Sequence, residues 1–402
     1  MPRIRVLVVD DSVVTRKVLC DALSADPEIE IAATAADGSI ALAKIPSLNP
    51  DLITLDVEMP GKSGLETLVE IRRSYPKLPV IMFSSLTERG ANTTLEALSL
   101  GASDYVAKPS SSGSVEETRA RIRAELIPKV KALCAKRVQL TQAGTKNANP
   151  QATATGNARA AALPIALKTR SLPAITPRID VVAIGTSTGG PNALAEVLSM
   201  LAGDFPVPIV IVQHMPPLFT RLLAERLSRK CAIKIQEGRE GEILKAGEAW
   251  IAPGDCHMTV QRDARGVRLA MNKEPAENSC RPAVDVLFRS VAKTYGSHCL
   301  AVVLTGMGTD GTRGSQQVIE AGGRVVVQDE ETSVVWGMPG AVVMAGLAEG
   351  IYPLREMAAA IDRLVRGLRG DAVGTKKGPI GAGIEERNAQ CGIARLQTIG
   401  KS

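Results

Sequence analysis

The chain of 402 residues is longer than one typical domain, and its 45% apolar content suffices for two cores built from Val, Ile, Leu and Ala, because aromatics make up only 2%. A formal charge of +6 without a clustered basic stripe argues against a nucleic-acid surface, and no apolar stretch approaches the length of a membrane span. Seven scattered cysteines without a CxxC pair, and a start that reaches Asp10-Asp11 after a short apolar strand rather than a signal peptide, are expected of a cytoplasmic protein with reduced, mostly structural thiols.

From 1 to 109, apolar runs at 6–9, 29–33, 52–55, 80–83 and 105–107 alternate with helical patterns, which predicts a parallel sheet covered on both faces. Ser114 and Glu117 form a capping box, and Ile122, Leu126, Val130 and Leu133 carry a helical stripe past Pro128. The periodicity ends over 138–178, where Ala, Thr, Asn, Gln and Pro make an extended, flexible linker. A second βα series runs from about 179 to 368, with strands at 180–184, 207–213, 299–305 and 324–328. A hairpin over 258–271, turning at Asp263-Ala264-Arg265-Gly266, is inserted in it. The expected division is therefore a domain over 1–126, a helix and linker over 127–178, a second domain over 179–369 and a glycine-rich, disordered tail over 370–402.

In the first domain Asp10 and Asp11 follow the first strand, Asp56 ends the third, Ser84 ends the fourth and Lys108-Pro109 follow the fifth. The carboxyl ends of parallel strands line one crevice, so these residues should converge there. Three carboxylates together call for a hard cation such as Mg²⁺, with Lys108 and the Ser84 hydroxyl left to bind phosphoryl oxygens. Any one acid alone would read as a helix cap or a surface charge; the coincidence at strand ends decides against that. The segments VVDDS (8–12), LDVEMPGKSG (55–64), Ser84 and YVAKP (105–109) resemble the receiver domain of two-component response regulators. The resemblance implies that Asp56 accepts phosphate from a histidine kinase and that Asp10, Asp11, Asp56 and the Glu58 backbone carbonyl hold Mg²⁺. It also implies that Ser84 and Tyr105 report the phosphorylated state.

The second domain opens with Gly185-Thr186-Ser187-Thr188-Gly189-Gly190 between a buried strand and an amphipathic helix pattern. Pro191 suits a first helical turn, and Leu194, Val197, Leu198 and Leu201 share one face. A serine between glycines at a strand-to-helix turn is exposed beside converging backbone N–H groups, as a nucleophile attacking a carbonyl requires. By itself such a loop equally suits a nucleotide phosphate, so its partners decide. Of the three histidines, His214 lies at the end of an apolar strand on the same sheet edge, whereas His257 opens the hairpin and His298 precedes a strand at the opposite edge. His214 is thus the candidate general base. Asp310, in a glycine-rich loop after the strand at 299–305, can fix the tautomer of its imidazole. The order Ser, His, Asp differs from that of the α/β-hydrolases.

The segments AIGTSTGGP (183–191), QHMP (213–216), IAPG (251–254), RPAVDVLFRSVA (281–292), LTGMGTDG (304–311) and QDEETSVVWGMPGAV (328–342) closely resemble the CheB family, the chemotaxis response-regulator protein-glutamate methylesterases. The resemblance implies a Ser187–His214–Asp310 triad acting on methyl-esterified glutamates of chemoreceptors, the methyl-accepting chemotaxis proteins. Deamidation of receptor glutamines would use the same chemistry. A chemotaxis histidine kinase would be the phosphoryl donor. For the oxyanion, elbow geometry favours the Thr188 amide and the family favours that of Met307. The family also implies that the unphosphorylated receiver packs over the catalytic cleft. No cofactor is expected for the esterase step, and neither nucleic acid nor direct membrane insertion is expected. Arg281 and Asp285 read as a helix cap and a surface pair, with substrate contact by Arg281 as the alternative. Trp336 and Met338 suit an apolar wall beside the site or core packing. The expected fold is α/β with two doubly wound domains: a flavodoxin-like receiver and a parallel-sheet, Rossmann-like esterase domain carrying the hairpin. A rival reading, a regulator whose second domain binds a dinucleotide or a protein without hydrolysis, is disfavoured because GTSTGG lacks the G-x-G-x-x-G spacing.

Overall fold

A computed structural model describes residues 3–108, 115–144 and 178–367. The first sheet contains β1 (Ile4–Val9), β2 (Ile29–Ala35), β3 (Leu52–Asp56), β4 (Val80–Ser84) and β5 (Asp104–Ala107), all parallel, in the order β2-β1-β3-β4-β5. That is the flavodoxin-like order, with its switch point between β1 and β3. Alternation along β1 sends Val6 and Val8 to one core, with Leu19 and Leu23 of α1 (Val13–Leu23) and Ile122, Leu126 and Val130 of α5 (Val115–Gly144). Leu7 and Val9 enter the other core, with Ile45 of α2 (Gly38–Leu48), Leu68 and Ile71 of α3 (Gly64–Ser74) and Leu95 of α4 (Glu88–Ser99). Each fully buried Leu or Ile contributes about 1.5–3 kcal/mol, so both helical layers are held by the pleat itself. The helix starts are set by short polar side chains: Ser12 caps α1, Asp37 caps α2, and Ser63 with Glu66 forms a capping box on α3. The capping box expected at Ser114 lies outside the described residues. The α5 helix continues to Gly144, past the expected start of the linker at 138; the rest of that linker and the tail from 370 also lie outside the described residues.

The second sheet has β6 (Val181–Thr186), β7 (Ile209–Gln213), β8 (Lys234–Glu237), β9 (Glu248–Ile251), β12 (Cys299–Val303), β13 (Arg324–Gln328) and β14 (Gly350–Tyr352), in the order β14-β13-β12-β6-β7-β9-β8. All of its pairings are parallel. Val182, Ile184, Ile209 and Ile211 face a core shared with α6 (Gly190–Ser199), α7 (Pro217–Ser228) and α11 (Leu354–Arg366). Val181, Ala183, Val210 and Val212 face the opposite core, with α8 (Val284–Tyr295), α9 (Thr312–Glu320) and α10 (Gly337–Met344). The inserted hairpin pairs β10 (His257–Asp263) with β11 (Gly266–Asn272), and it packs on α8 through Met258, Val260 and Leu269. Three strands, β8, β9 and β14, were not apparent as apolar runs. They are only three or four residues long, β8 and β14 are the two sheet edges, and β8 and β9 carry charged residues. No helix among the described residues is long and apolar enough to cross a membrane.

Candidate active site

The receiver crevice gathers the expected acids. Carboxylate oxygens of Asp10, Asp11 and Asp56 lie within 4.8 Å of one another at the carboxyl ends of β1 and β3. Lys108 Nζ stands 2.7 Å from Asp56 Oδ2 and 3.2 Å from Asp10 Oδ2. Among the described residues those two buried oxygens are held by Lys108 alone, which leaves their remaining lone pairs to a cation. Oxygen donors of this charge fit a hard divalent ion. Burial pushes the Asp56 carboxyl up to about 6; Lys108 opposes this and the nearby Asp10 charge adds to it. Ser84 is buried, and its hydroxyl donates to the Gly90 carbonyl at 3.1 Å. The Glu58 amide donates to Asp56 Oδ1 at 3.3 Å, which fixes the turn that carries the Glu58 carbonyl.

In the second domain Ser187 follows β6, His214 follows β7 and Asp310 lies in the loop after β12. β12, β6 and β7 are neighbours in the sheet. Gly189 has φ 78°, and the helix starts immediately behind it with Pro191 in its first turn. The Ser187 amide donates to the Thr305 carbonyl at 3.0 Å. A Cβ on Gly306 would lie 3.0 Å from Ser187 Cβ and 2.3 Å from Met338 Sδ, so only glycine lets this loop pass the serine. That approach sets Gly306, the residue before Met307, against Ser187. Neither the Thr188 nor the Met307 amide donates a hydrogen bond among the described residues.

β6 and β7 pair Thr186 with Gln213, and the His214 amide donates to the Thr186 carbonyl at 3.2 Å, which brings His214 alongside Ser187. His214 Nε2 meets Asp310 Oδ2 at 2.8 Å, and its Nδ1 lies 3.6 Å from Cys280 Sγ. Asp310 Oδ2 also accepts the Val284 amide at 2.7 Å, and Oδ1 accepts the Asp285 amide at 2.9 Å. Burial alone would raise the Asp310 pKa, but His214 and these amides outweigh it and hold the carboxyl below its ordinary value. Burial likewise disfavours a charged His214, but Asp310 and Cys280 outweigh it and push the pKa up to about 9. His257 is instead buried between the Pro275 carbonyl and the Ala283 amide, and His298 lies at the far edge against the Arg178 carbonyl.

The reading of Arg281 and Asp285 as a helix cap and a surface pair holds for Arg281, which pairs at the surface, and is corrected in the helix that Asp285 caps. Asp285 is 1% exposed, and its Oδ1 accepts the amides of Gly311 at 2.9 Å and Gly314 at 2.7 Å, so it caps α9 and not its own helix. Arg281 pairs with Asp255 at 2.6 Å. Met338 is fully buried in the core, and Trp336 Nε1 donates to the Gln328 carbonyl. Asn278 and Cys280 gave no periodic or motif signal, because they act from an irregular turn that only the fold brings to the site.

The α4–β5 face of the receiver lies on α6 and α7. Thr188 Oγ1 donates to Asp104 Oδ2 at 2.7 Å, so a receiver carboxylate bonds the residue next to Ser187. Lys129 holds the same oxygen at 3.3 Å. Tyr105 stacks on Phe219 with ring centroids 4.6 Å apart, Asn192 Nδ2 donates to the Leu98 carbonyl at 2.6 Å, and Arg221 pairs with Glu88 at 3.1 Å.

A receiver joined to an output domain with a serine, a histidine and an aspartate on three neighbouring strands defines a response regulator with a hydrolase as its output. The CheB methylesterase family model matches residues 182–361, and the response regulator receiver domain model matches 6–119. The protein-glutamate methylesterase/protein-glutamine glutaminase of Trichodesmium erythraeum is 50% identical over 365 residues, covering 91% of this chain and 100% of that protein. Its counterpart in Nocardioides sp. is 49% identical over 366 residues, covering 90% and 96%. The crystal structure of the Thermotoga maritima CheB methylesterase catalytic domain is 41% identical, covers 47% of this chain and 100% of its own, and has a TM-score of 0.46. The chain belongs to the family of protein-glutamate methylesterases/protein-glutamine glutaminases.

Proposed function

We propose that the chain hydrolyses glutamate γ-methyl esters on chemoreceptors by a Ser187–His214–Asp310 triad, and that the docked receiver withholds this activity until Asp56 is phosphorylated. The observation that carries the reading is the 2.8 Å bond between His214 and Asp310 on strands flanking Ser187. Ser187 Oγ adds to the ester carbonyl carbon while His214 Nδ1 takes its proton. The oxyanion is held by the Thr188 and Met307 amides; losing one such donor costs about two to three powers of ten in rate. The intermediate collapses, the methoxy oxygen takes the proton from His214, and methanol leaves. Water then adds to the acyl-serine by the same base, releasing glutamate and Ser187. With a glutamine substrate the leaving group is ammonia.

In the receiver, Asp10, Asp11, Asp56 and the Glu58 carbonyl would hold Mg²⁺, which neutralises the carboxylates and an incoming phosphoryl group. A chemotaxis histidine kinase supplies that group to Asp56, with Lys108 and Ser84 binding its oxygens. Ser84 then leaves the Gly90 carbonyl, and Tyr105 no longer stacks on Phe219. The activation can be no larger than the difference in packing between the two receiver states. The setting is the cytoplasm, where receptor methylation sites and the kinase meet.

Methanol release from methylated receptor membranes tests the reading, with wild type and Ser187→Ala, each with and without acetyl phosphate. Release by wild type alone, rising with acetyl phosphate, is expected. Undiminished release by Ser187→Ala overturns the triad, and release indifferent to acetyl phosphate overturns the receiver switch.

A further inference from the structure

Both ring nitrogens of His214 are engaged in this structure, Nε2 by Asp310 at 2.8 Å and Nδ1 by Cys280 Sγ at 3.6 Å. Nδ1 is the nitrogen left for Ser187, and a thiol already stands at it. The Ser187 hydroxyl makes no hydrogen bond among the described residues. The position of Cys280 is built. Glu277 and Cys280 exchange backbone hydrogen bonds of 3.1 and 2.9 Å across a turn whose central residues, Asn278 and Ser279, have φ of 53° and 60°. Residues other than glycine keep such a conformation only where their surroundings over-determine it, and such residues gather at functional sites. Here Asn278 Nδ2 donates to Asp285 Oδ2 and Asp310 Oδ1, each at 2.9 Å, while Glu277 pairs with Arg289 at 2.7 Å. On the other side Arg281 is fastened to Asp255 and to the carbonyls of Lys273 and Glu274. One turn therefore grips the catalytic carboxylate with its second residue and the catalytic imidazole with its fourth.

We propose that Cys280 is a positioning residue for the esterase reaction: its thiol holds Nδ1 of His214 in the resting enzyme, and Ser187 reaches the base by displacing it. This rests on the triad reading above. A thiol is a weak hydrogen-bonding partner, so a serine aligned by bound substrate displaces it at small cost. While in place it joins Asp310 in favouring the charged ring, whose pKa stands at about 9. The other charges around the pair are Asp285 behind Asp310, and Glu277 with Arg289 and Arg313. None of these touches Nδ1. Cys280 thus differs from Asn278, which acts through the carboxylate.

The full chain has three histidines, so their imidazole proton signals can be followed separately through a pH titration. In a Ser187→Ala background, adding Cys280→Ala or Cys280→Val is expected to lower the His214 midpoint by about one unit. With Ser187 present and acetyl phosphate supplied, the same Cys280 changes should move the kcat/KM profile for methanol release to lower pH by the same amount. Below both midpoints the variant would then be up to about tenfold faster, with KM unchanged. A His214 midpoint that stays put in both variants overturns the proposal. So does a midpoint that moves while the rate profile does not. An active Ser187→Ala protein instead removes the triad reading, and the two failures are told apart because the titration needs no turnover. The valine variant keeps the experiment decisive if the alanine variant folds poorly.

Discussion

Asp310 and Asp285 cap each other's helices. Asp310 accepts the amides of Val284 and Asp285 at the head of α8, and Asp285, the second residue of α8, accepts those of Gly311 and Gly314 at the head of α9. Two helix N-termini thereby favour negative charge at one point behind His214. Burial raises the Asp285 pKa and the Asp310 charge adds to this, whereas Asp310 is held low. Of the pair, Asp310 is the one held toward its ionised form, with Oδ2 against the His214 imidazole.

Asp285→Ala should therefore cost both stability and rate, although Asp285 touches no reacting atom. It leaves the buried Gly314 amide without its side-chain acceptor, at about 1–3 kcal/mol, leaves the Gly311 amide with Asp310 alone, and frees Asp310 to shift with its loop. Denaturant unfolding should show a loss of about 1–3 kcal/mol, and methanol release should fall by about one to two powers of ten in kcat. A variant that loses stability but keeps kcat would confine Asp285 to a structural role.

Asp104→Ala tests the bond between the receiver and Thr188, the residue next to Ser187. A hydrogen bond to a charged group is worth about 1.5–3 kcal/mol, and the Tyr105–Phe219 stack and the Asn192 bond persist without it. Basal methanol release, measured without acetyl phosphate, should rise up to about tenfold, while the fully phosphorylated rates of variant and wild type converge. An unchanged basal rate would mean that Asp104 does not hold the docked state.

Much of this architecture was legible because buried parallel strands are continuous apolar runs and because parallel-sheet chemistry collects at strand ends. Asp10, Asp56, Ser187, His214 and Asp310 all stand there, and each strand end can be read from the chain. What escaped has a common physical origin. β8 is an edge strand that carries Lys, Gln and Glu where a central strand carries Val; β9 beside it is only four residues long, and β14 at the other edge only three. The turn at Asn278-Ser279 adopts left-handed conformations without a glycine to announce them. Asp285 looked like a cap for its own helix, since an acid in a first helical turn usually is one; its true acceptor role is to amides 26 and 29 residues away. The docked face was legible only as an implication of family likeness, because Asp104 and Tyr105 are ordinary receiver residues until Thr188 and Phe219 meet them.

Activity and stability should move in opposite directions between pH 6.5 and 9. His214 in the folded chain has its pKa raised from an ordinary 6.5 to about 9, so its charged pairing with Asp310 contributes fully below 6.5 and is lost as pH rises through about 9. A general base must be neutral, so kcat/KM should climb over the same interval. The check is to run methanol release and denaturant unfolding on the same samples across this range. His214→Gln should remove both the activity and this component of the stability profile. A rate profile that is flat from pH 6.5 upward would show that the base titrates below this window.

Asp56→Asn should stabilise the fold at pH 8 in the presence of a chelator. Burial raises the folded-state pKa of Asp56 from 3.8 to about 6, so the fold disfavours its ionised form. The sign follows from linkage: the neutral carboxyl costs nothing below 3.8, and the full penalty is present once pH has risen through about 6. A shift of that size corresponds to about 3 kcal/mol, reduced in the variant by the loss of the Lys108 partner at 2.7 Å. Unfolding midpoints of variant and wild type should thus differ at pH 8 and converge near pH 4. Millimolar Mg²⁺ should close the gap at pH 8 by stabilising the wild type, whose three carboxylates it would neutralise, and should leave the variant nearly unmoved. If Mg²⁺ raised both proteins equally, the cation would be acting elsewhere than at Asp56.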